Sequence, residues 1–270
     1  MYFGKEAFAM REQRVAVVTG AGQGIGEAIV RQLSADGYDV VVADLNGENA
    51  NKVADDLNKT GHNAVAVEGN VANKADHEKF VQAAVEHFGR LDTYVNNAGI
   101  MIVKPVMDIN EDDLEKIYKV NVFGDVWGIQ AAVTQFKKQN DGDKVRKIIN
   151  ASSVAGHFGD ALMAAYGSTK FAVRGLTQVA AQEFGKQHIT VNAYCPGIVD
   201  TPMWKQIDSD MVKLMGGQPG DYWKKFSSSI SVGKPETPQE VADFVSYLAS
   251  PKADYMNGQA VQIDGGMRMI

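Results

Sequence analysis

Short apolar runs alternate with helical patterns from one end of this chain to the other, and that alternation leaves few folds open. Strand patterns fall at 15–19, 39–44, 64–68, 93–96, 147–151, 190–194 and 260–263. Several are nearly continuous apolar runs, as strands are when helices cover both faces of their sheet. Helical patterns lie between them, among them 24–36, 73–88, 111–138 and 165–186. Repeated β–α–β units with right-handed crossovers predict an α/β fold, a doubly wound parallel sheet of seven strands with helices on both faces. A length of 270 residues suits one large domain. The reading assigns it residues 14–270, after an N-terminal extension at 1–13 in which Met10 offers an alternative start. No repeat or Pro/Ser-rich linker divides it, and Asn140-Asp141-Gly142-Asp143 reads as a polar turn. The segment 202–238 mixes Met203, Trp204, Met211, Met215 and Trp223 with Gly216-Gly217 and Pro219. Apolar yet rich in breakers, it is expected to form a mobile lid over a substrate cleft, the alternative being a loosely packed helix pair.

Charge and cysteine usage narrow the function classes. A net charge of −6 argues against nucleic-acid and anionic-membrane partners. No apolar run reaches the roughly 18 residues that a membrane span needs. The first ten residues lack a basic-then-apolar layout, so no export signal is expected. The single cysteine, Cys195, excludes an internal disulfide and fits a reducing cytoplasm. No His/Cys cluster has ligand spacing, so no metal is expected.

The first strand pattern runs directly into Thr19-Gly20-Ala21-Gly22-Gln23-Gly24-Ile25-Gly26 and then into a helix. Glycines let the backbone turn sharply and bring amide N–H groups to an anion at the positive end of that helix. This suits a dinucleotide pyrophosphate, although the spacing G-x-x-x-G-x-G also suits a turn without a ligand. Asp44 closes the second strand pattern, eighteen positions after Gly26. A carboxylate there can accept from the ribose 2′ and 3′ hydroxyls and would repel a 2′-phosphate, so NAD is expected rather than NADP. Gln23 agrees, since the loop offers no Lys or Arg to a phosphate. Asn70-Val71, after the third strand pattern, can meet an adenine. Asn96-Asn97-Ala98-Gly99 follows the fourth, at the strand end where open α/β sheets bind ligands. The tetrapeptide is equally good turn chemistry.

Tyr166 and Lys170 stand four apart in a helical pattern and so share a face. Ser153 ends the fifth strand pattern, and Asn121 lies inside a long helical one, where an amide has low propensity. Reducing a carbonyl by hydride transfer requires a proton for the developing alkoxide. A phenol can donate it, but phenols ordinarily ionise near pH 10, too high for reversible exchange at neutrality. A cation within about 4–6 Å favours the phenolate, and Lys170 can supply one. Ser153 can hold the substrate oxygen beside Tyr166. Each residue has a structural alternative when taken singly; the ordered set points to catalysis.

The motifs TGAGQGIG at 19–26, Asp44, NNAG at 96–99, Asn121, Ser153, Tyr166 with Lys170, Pro196-Gly197 and Thr201 together resemble the short-chain dehydrogenase/reductase family over roughly 14–267. The resemblance implies a Rossmann-type fold with Tyr166 as general acid/base and Lys170 holding the nicotinamide ribose. It further implies Ser153 orienting the carbonyl, Asn121 anchoring a water in a proton relay, and Ile198 with Thr201 at the carboxamide. Asn70 stands where the family usually has Asp. Longer stretches, such as 127–133, 170–177, 195–204 and 246–267, are similar to the acetoin/diacetyl reductases, also called 2,3-butanediol dehydrogenases. Interconversion of small vicinal ketones and alcohols is therefore expected. Other carbonyl substrates (a 3-oxoacyl thioester, a polyol, a steroid) and a nucleotide sensor without chemistry are the alternatives. Val154, His157, Phe158, Asp160, Met203 and Trp204 are the substrate-pocket candidates. Small residues on the 165–186 helix suit close packing, and the resemblance adds a homotetramer.

Overall fold

The computed structural model describes residues 13–139 and 141–269. The extension at 1–13, apart from Gln13, the alternative start at Met10, and Asn140 of the polar turn lie outside the described residues. Among those described, the strands β1 (Arg14–Thr19), β2 (Tyr38–Asp44), β3 (Ala64–Glu68), β4 (Thr93–Asn96), β5 (Arg146–Ala151), β6 (Ile189–Pro196) and β7 (Ala260–Ile263) form one sheet. Its order is β3-β2-β1-β4-β5-β6-β7 and every pairing is parallel. Each expected strand is present, and β6 extends two residues further, to Pro196.

The strand sequences explain why both faces are covered. Ala16 and Val18 of β1, with Val40 and Val42 of β2, enter a core that includes Ile29 and Leu33 of α1 (Gly24–Ala35), Val53 and Leu57 of α2 (Gly47–Lys59) and Val245 of α9 (Pro238–Ala249). The intervening Val15, Val17 and Val41 enter the opposite core, against Phe80 of α3 (Lys74–Phe88), Phe136 of α5 (Gly124–Gln139) and Ala180 of α6 (Ala164–Phe184). Successive side chains of a strand point to opposite faces, so a continuous apolar run serves both cores. Each fully buried Val, Leu or Ile contributes about 1.5–3 kcal/mol over exposure.

Two expectations are modified. The helical pattern 111–138 is broken into α4 (Glu111–Tyr118), a π-helical turn (Lys119–Phe123) and α5, because one extra residue per turn is accommodated around Asn121. The segment 202–238 contains a pair of helices, α7 (Pro202–Met215) and α8 (Asp221–Ser227). Asp208 of α7 joins them: its carboxylate accepts from the amides of Gly220 (2.6 Å), Tyr222 and Trp223 (both 3.0 Å) at the start of α8. Among the described residues no helix is long and apolar enough to cross a membrane, and no group of His, Cys, Asp and Glu could hold a metal ion.

Candidate active site

A cleft of about 920 Å³ opens at the carboxyl ends of β1, β2, β3 and β4, where the strand order reverses. Gly20, Gln23, Gly24, Ile25, Gly26, Asp44, Asn70, Val71, Asn97, Ala98, Gly99 and Thr201 all line it. The glycines are required by contact. Gly20 has φ +63°, and a Cβ on Gly26 would stand 2.1 Å from the Gly20 carbonyl oxygen. The loop is therefore folded onto the first turn of α1, at the N-terminal end of that helix where an anion is favoured. Asp44 ends β2 beside it, its Oδ2 accepting from the Gly22 amide at 2.8 Å and its Oδ1 from the Asn46 amide at 2.9 Å. These residues fit a dinucleotide: a cradle that Cβ atoms would fill, and a carboxylate at the ribose end.

Asn97 braces this cleft. Its Nδ2 donates to the carbonyls of Thr19 (2.8 Å) and Gly20 (3.1 Å), while its Oδ1 accepts from the Tyr194 hydroxyl at 2.9 Å. Asn96, buried behind it, donates to Asn150 Oδ1 at 2.9 Å, and Asn150 donates to Thr177 Oγ1 at 3.0 Å. The NNAG tetrapeptide thus ties β1, β4, β5, β6 and α6 together at the strand ends. Asn70 is tied down too: its Oδ1 accepts from the Ala72 amide at 3.0 Å.

A second cavity, about 120 Å³, adjoins the cleft and holds Ser153, Tyr166 and Lys170 on its wall, together with Pro196, Gly197 and Ile198. Ile25, Asn97, Gly99, Thr201 and Met203 line both spaces. Tyr166 and Lys170 are 8% and 4% exposed, so neither is a solvated surface residue. Lys170 Nζ donates to the Ala151 carbonyl at 2.6 Å and lies 5.6 Å from the centre of the Tyr166 ring. Ser153 Oγ accepts from the Ala155 amide at 3.1 Å, which leaves its proton free to donate. Ser152, overlooked in the sequence, donates to the Lys170 carbonyl at 3.0 Å and clamps α6 to the end of β5.

Asn121 does not line this cavity. Its Oδ1 accepts from the Ile100 amide at 2.8 Å, and its Nδ2 donates to the Ile100 carbonyl (2.9 Å) and Thr169 Oγ1 (3.1 Å). Both donors of the amide are therefore used to hold the loop after β4 against α6. The carboxyl of Asp125, one turn further, is buried. Burial pushes it up to about 8, against the opposing pull of the Lys170 charge.

Val154, Asp160, Met203 and Trp204 line the small cavity; His157 and Phe158 do not. The chain turns at 154–156, which aims His157 toward Arg174 and β7. Burial, with the Arg174 charge second, holds its imidazole below the usual histidine range. Phe158 lies under the guanidinium of Arg268, at 5.5 Å. The cavity instead gains Met101, Met163, Ile207, Phe226 and Met267, for which the sequence offered no pattern of pocket lining. Trp204 packs edge-on against Trp223 (5.8 Å) and against Phe226 (5.7 Å), so α7 and α8 form an aromatic roof.

Comparison with known proteins gives a consistent picture. A family model described as short chain dehydrogenase matches residues 14–212. The chain is 44% identical over 255 residues to a diacetyl reductase [(S)-acetoin forming] of Staphylococcus epidermidis, covering 94% of this chain and 98% of the relative. It is 47% identical over 256 residues to an L-2,3-butanediol dehydrogenase of Corynebacterium glutamicum, with the same coverage. A crystal structure of a dehydrogenase/reductase from Sinorhizobium meliloti superposes with a TM-score of 0.83 at 28% identity, covering 95% of each chain.

Proposed function

This chain belongs to the short chain dehydrogenase family, and from that premise we propose that it is an NAD(H)-dependent oxidoreductase of small vicinal ketones and alcohols. Diacetyl is reduced to acetoin, and acetoin is interconverted with 2,3-butanediol. The relatives that carry such names are 44% and 47% identical over nearly full length, which supports this substrate class. The observation that carries the reading is the small cavity itself, where Ser153, Tyr166 and Lys170 share one wall beside the nucleotide cleft.

The Gly20–Gly26 loop would hold the pyrophosphate, Asp44 the adenosine ribose, Asn70 and Val71 the adenine, and Ile198 and Thr201 the carboxamide. When bound, the nicotinamide supplies or takes up the hydride at the carbonyl carbon. Ser153 donates to the carbonyl oxygen and fixes it beside Tyr166. Tyr166 delivers the proton to that oxygen as charge develops on it. The Lys170 ammonium, anchored on the Ala151 carbonyl, stabilises the phenolate left behind. Asn121, with both side-chain donors taken, supports the site by holding the Ile100 loop against α6. The apolar roof of Trp204 and Phe226 excludes bulk water from this exchange.

NAD is preferred because a 2′-phosphate would meet the Asp44 carboxylate. Single use of cysteine, buried at Cys195, supports action in the cytoplasm. Exposed Phe171 and Val179 on α6 support assembly as a homotetramer through that helix.

The deciding experiment is a comparison of initial rates of NADH oxidation with diacetyl, acetoin and an acetoacetyl thioester, followed by chiral analysis of the diol. The highest kcat/KM is expected with diacetyl or acetoin. A thioester that outperforms both would overturn the substrate assignment, and NADH binding without turnover of any carbonyl would overturn the chemistry.

A further inference from the structure

The segment after β7 bonds to the substrate cavity's own loop. Asp264 anchors the turn, accepting from the Gly266 amide at 3.0 Å and the Arg268 amide at 2.8 Å. Ser231 Oγ donates to the Gly266 carbonyl at 2.7 Å, and the Val232 amide donates to the Gly265 carbonyl at 3.0 Å. Met267 then reaches the cavity wall. Arg268 follows, and its Nη2 donates to Asp160 Oδ1 at 2.6 Å while its guanidinium covers the Phe158 ring. Asp160 is itself part of the wall, its side chain 20% exposed.

The loop that carries Asp160 needs such a restraint. Leu162 sits at φ +68°, in the left-handed region that a residue with a branched side chain avoids. Backbone of this kind persists only where its surroundings over-determine it. The Lys104 amide, donating to the Leu162 carbonyl at 2.9 Å, is one restraint on the loop, and the Arg268–Asp160 pair is another. Without Arg268, Asp160 would present an unpaired carboxylate to substrate carbonyl oxygens, whose lone pairs it repels.

We propose that Arg268 is a positioning and specificity-determining residue: it holds the 157–163 loop in place and neutralises Asp160, so that the cavity accepts an uncharged, oxygen-rich substrate. This deepens the reading of the cavity as the substrate site and rests on it.

The test compares the full-length protein with Arg268→Gln, Arg268→Lys and the double variant Arg268→Gln/Asp160→Asn. Hydrogen exchange of peptides spanning 157–163 is measured alongside kinetics with diacetyl. Arg268→Gln is expected to speed exchange in that loop and raise KM about tenfold, with kcat within about twofold and NADH affinity unchanged. Arg268→Lys is expected to recover part of the loss. In the double variant the unpaired charge is gone, and most of the KM returns. Wild-type exchange and KM in Arg268→Gln would overturn the proposal, as would a double variant no better than the single one. A protein inactive on diacetyl would sink the substrate reading instead, while the exchange data would still decide whether Arg268 holds the loop.

Discussion

At the scale of single residues, the chemistry assigned to the site rests on one hydroxyl. Tyr166→Phe removes the hydroxyl proposed as the proton donor and little else, because the ring remains in the wall of the cavity. Turnover is expected to fall by more than about 99%, since general acid catalysis is worth roughly 10²–10⁴-fold. NADH affinity, read by fluorescence titration, is expected to stay within about twofold. Retained turnover would refute the assignment. Asp44→Ala tests the nucleotide end. The carboxylate accepts two backbone amides and lines the nucleotide cleft, so its loss should narrow the proposed preference for NADH over NADPH; an unchanged ratio of kcat/KM values would show that it does not select the cofactor. That these residues line two adjoining spaces was legible at this scale, because the glycine spacing, Asp44 and the Tyr166–Lys170 pair are defined by residue type and separation. His157 and Phe158 were misread. Proximity in sequence to Ser153 does not survive the turn at 154–156, and chain direction after a turn is a tertiary property.

At the scale of elements, strand boundaries were readable to within two residues because both faces of each strand are buried. The interruption of the 111–138 helix was not. A π-helical turn leaves no mark in hydrophobic periodicity, and only the low helix propensity of Asn121 hinted at it. Packing of α5 on the sheet gives a sharp prediction. A Cβ on Gly128 would stand 2.0 Å from Asn96 Oδ1 and 2.9 Å from the Tyr94 ring, with no flexible neighbour to yield. Gly128→Ala is expected to destabilise the protein by about 1–3 kcal/mol, as overpacked cores do, even though alanine is the better helix former. Urea denaturation would check it; a midpoint at or above that of the wild type would mean that α5 can slide on β4.

At the scale of the whole molecule, one buried acid couples stability to pH. Asp125, raised by burial to about 8, holds in the folded protein a proton that the unfolded chain has released above the ordinary carboxylate range. Its contribution is complete below about pH 4 and is lost as pH rises toward 8, since the native state binds more protons across that window. Asp125→Asn keeps the shape and removes the titration. Its Tm relative to wild type is expected to climb between pH 5 and pH 9 by several degrees, where about 1 kcal/mol corresponds to roughly 2–4 °C in a chain of this size. A constant difference would mean that Asp125 does not carry the proton. Sequence reading missed this residue because a charged side chain on a helix is usually solvated, and nothing local marks this one as facing inward. It missed Met267 and Arg268 for a related reason: a tail reaches the cavity by topology, not by motif. The wall that the two spaces have in common, Ile25, Asn97, Gly99, Thr201 and Met203, has a kinetic corollary. Because the same residues line both spaces, an occupant of the larger one would sit against the wall of the smaller one. Addition should therefore be compulsory, nucleotide first and carbonyl second, with release in reverse, and an alcohol product that inhibits competitively against the carbonyl, as in random entry, would contradict it.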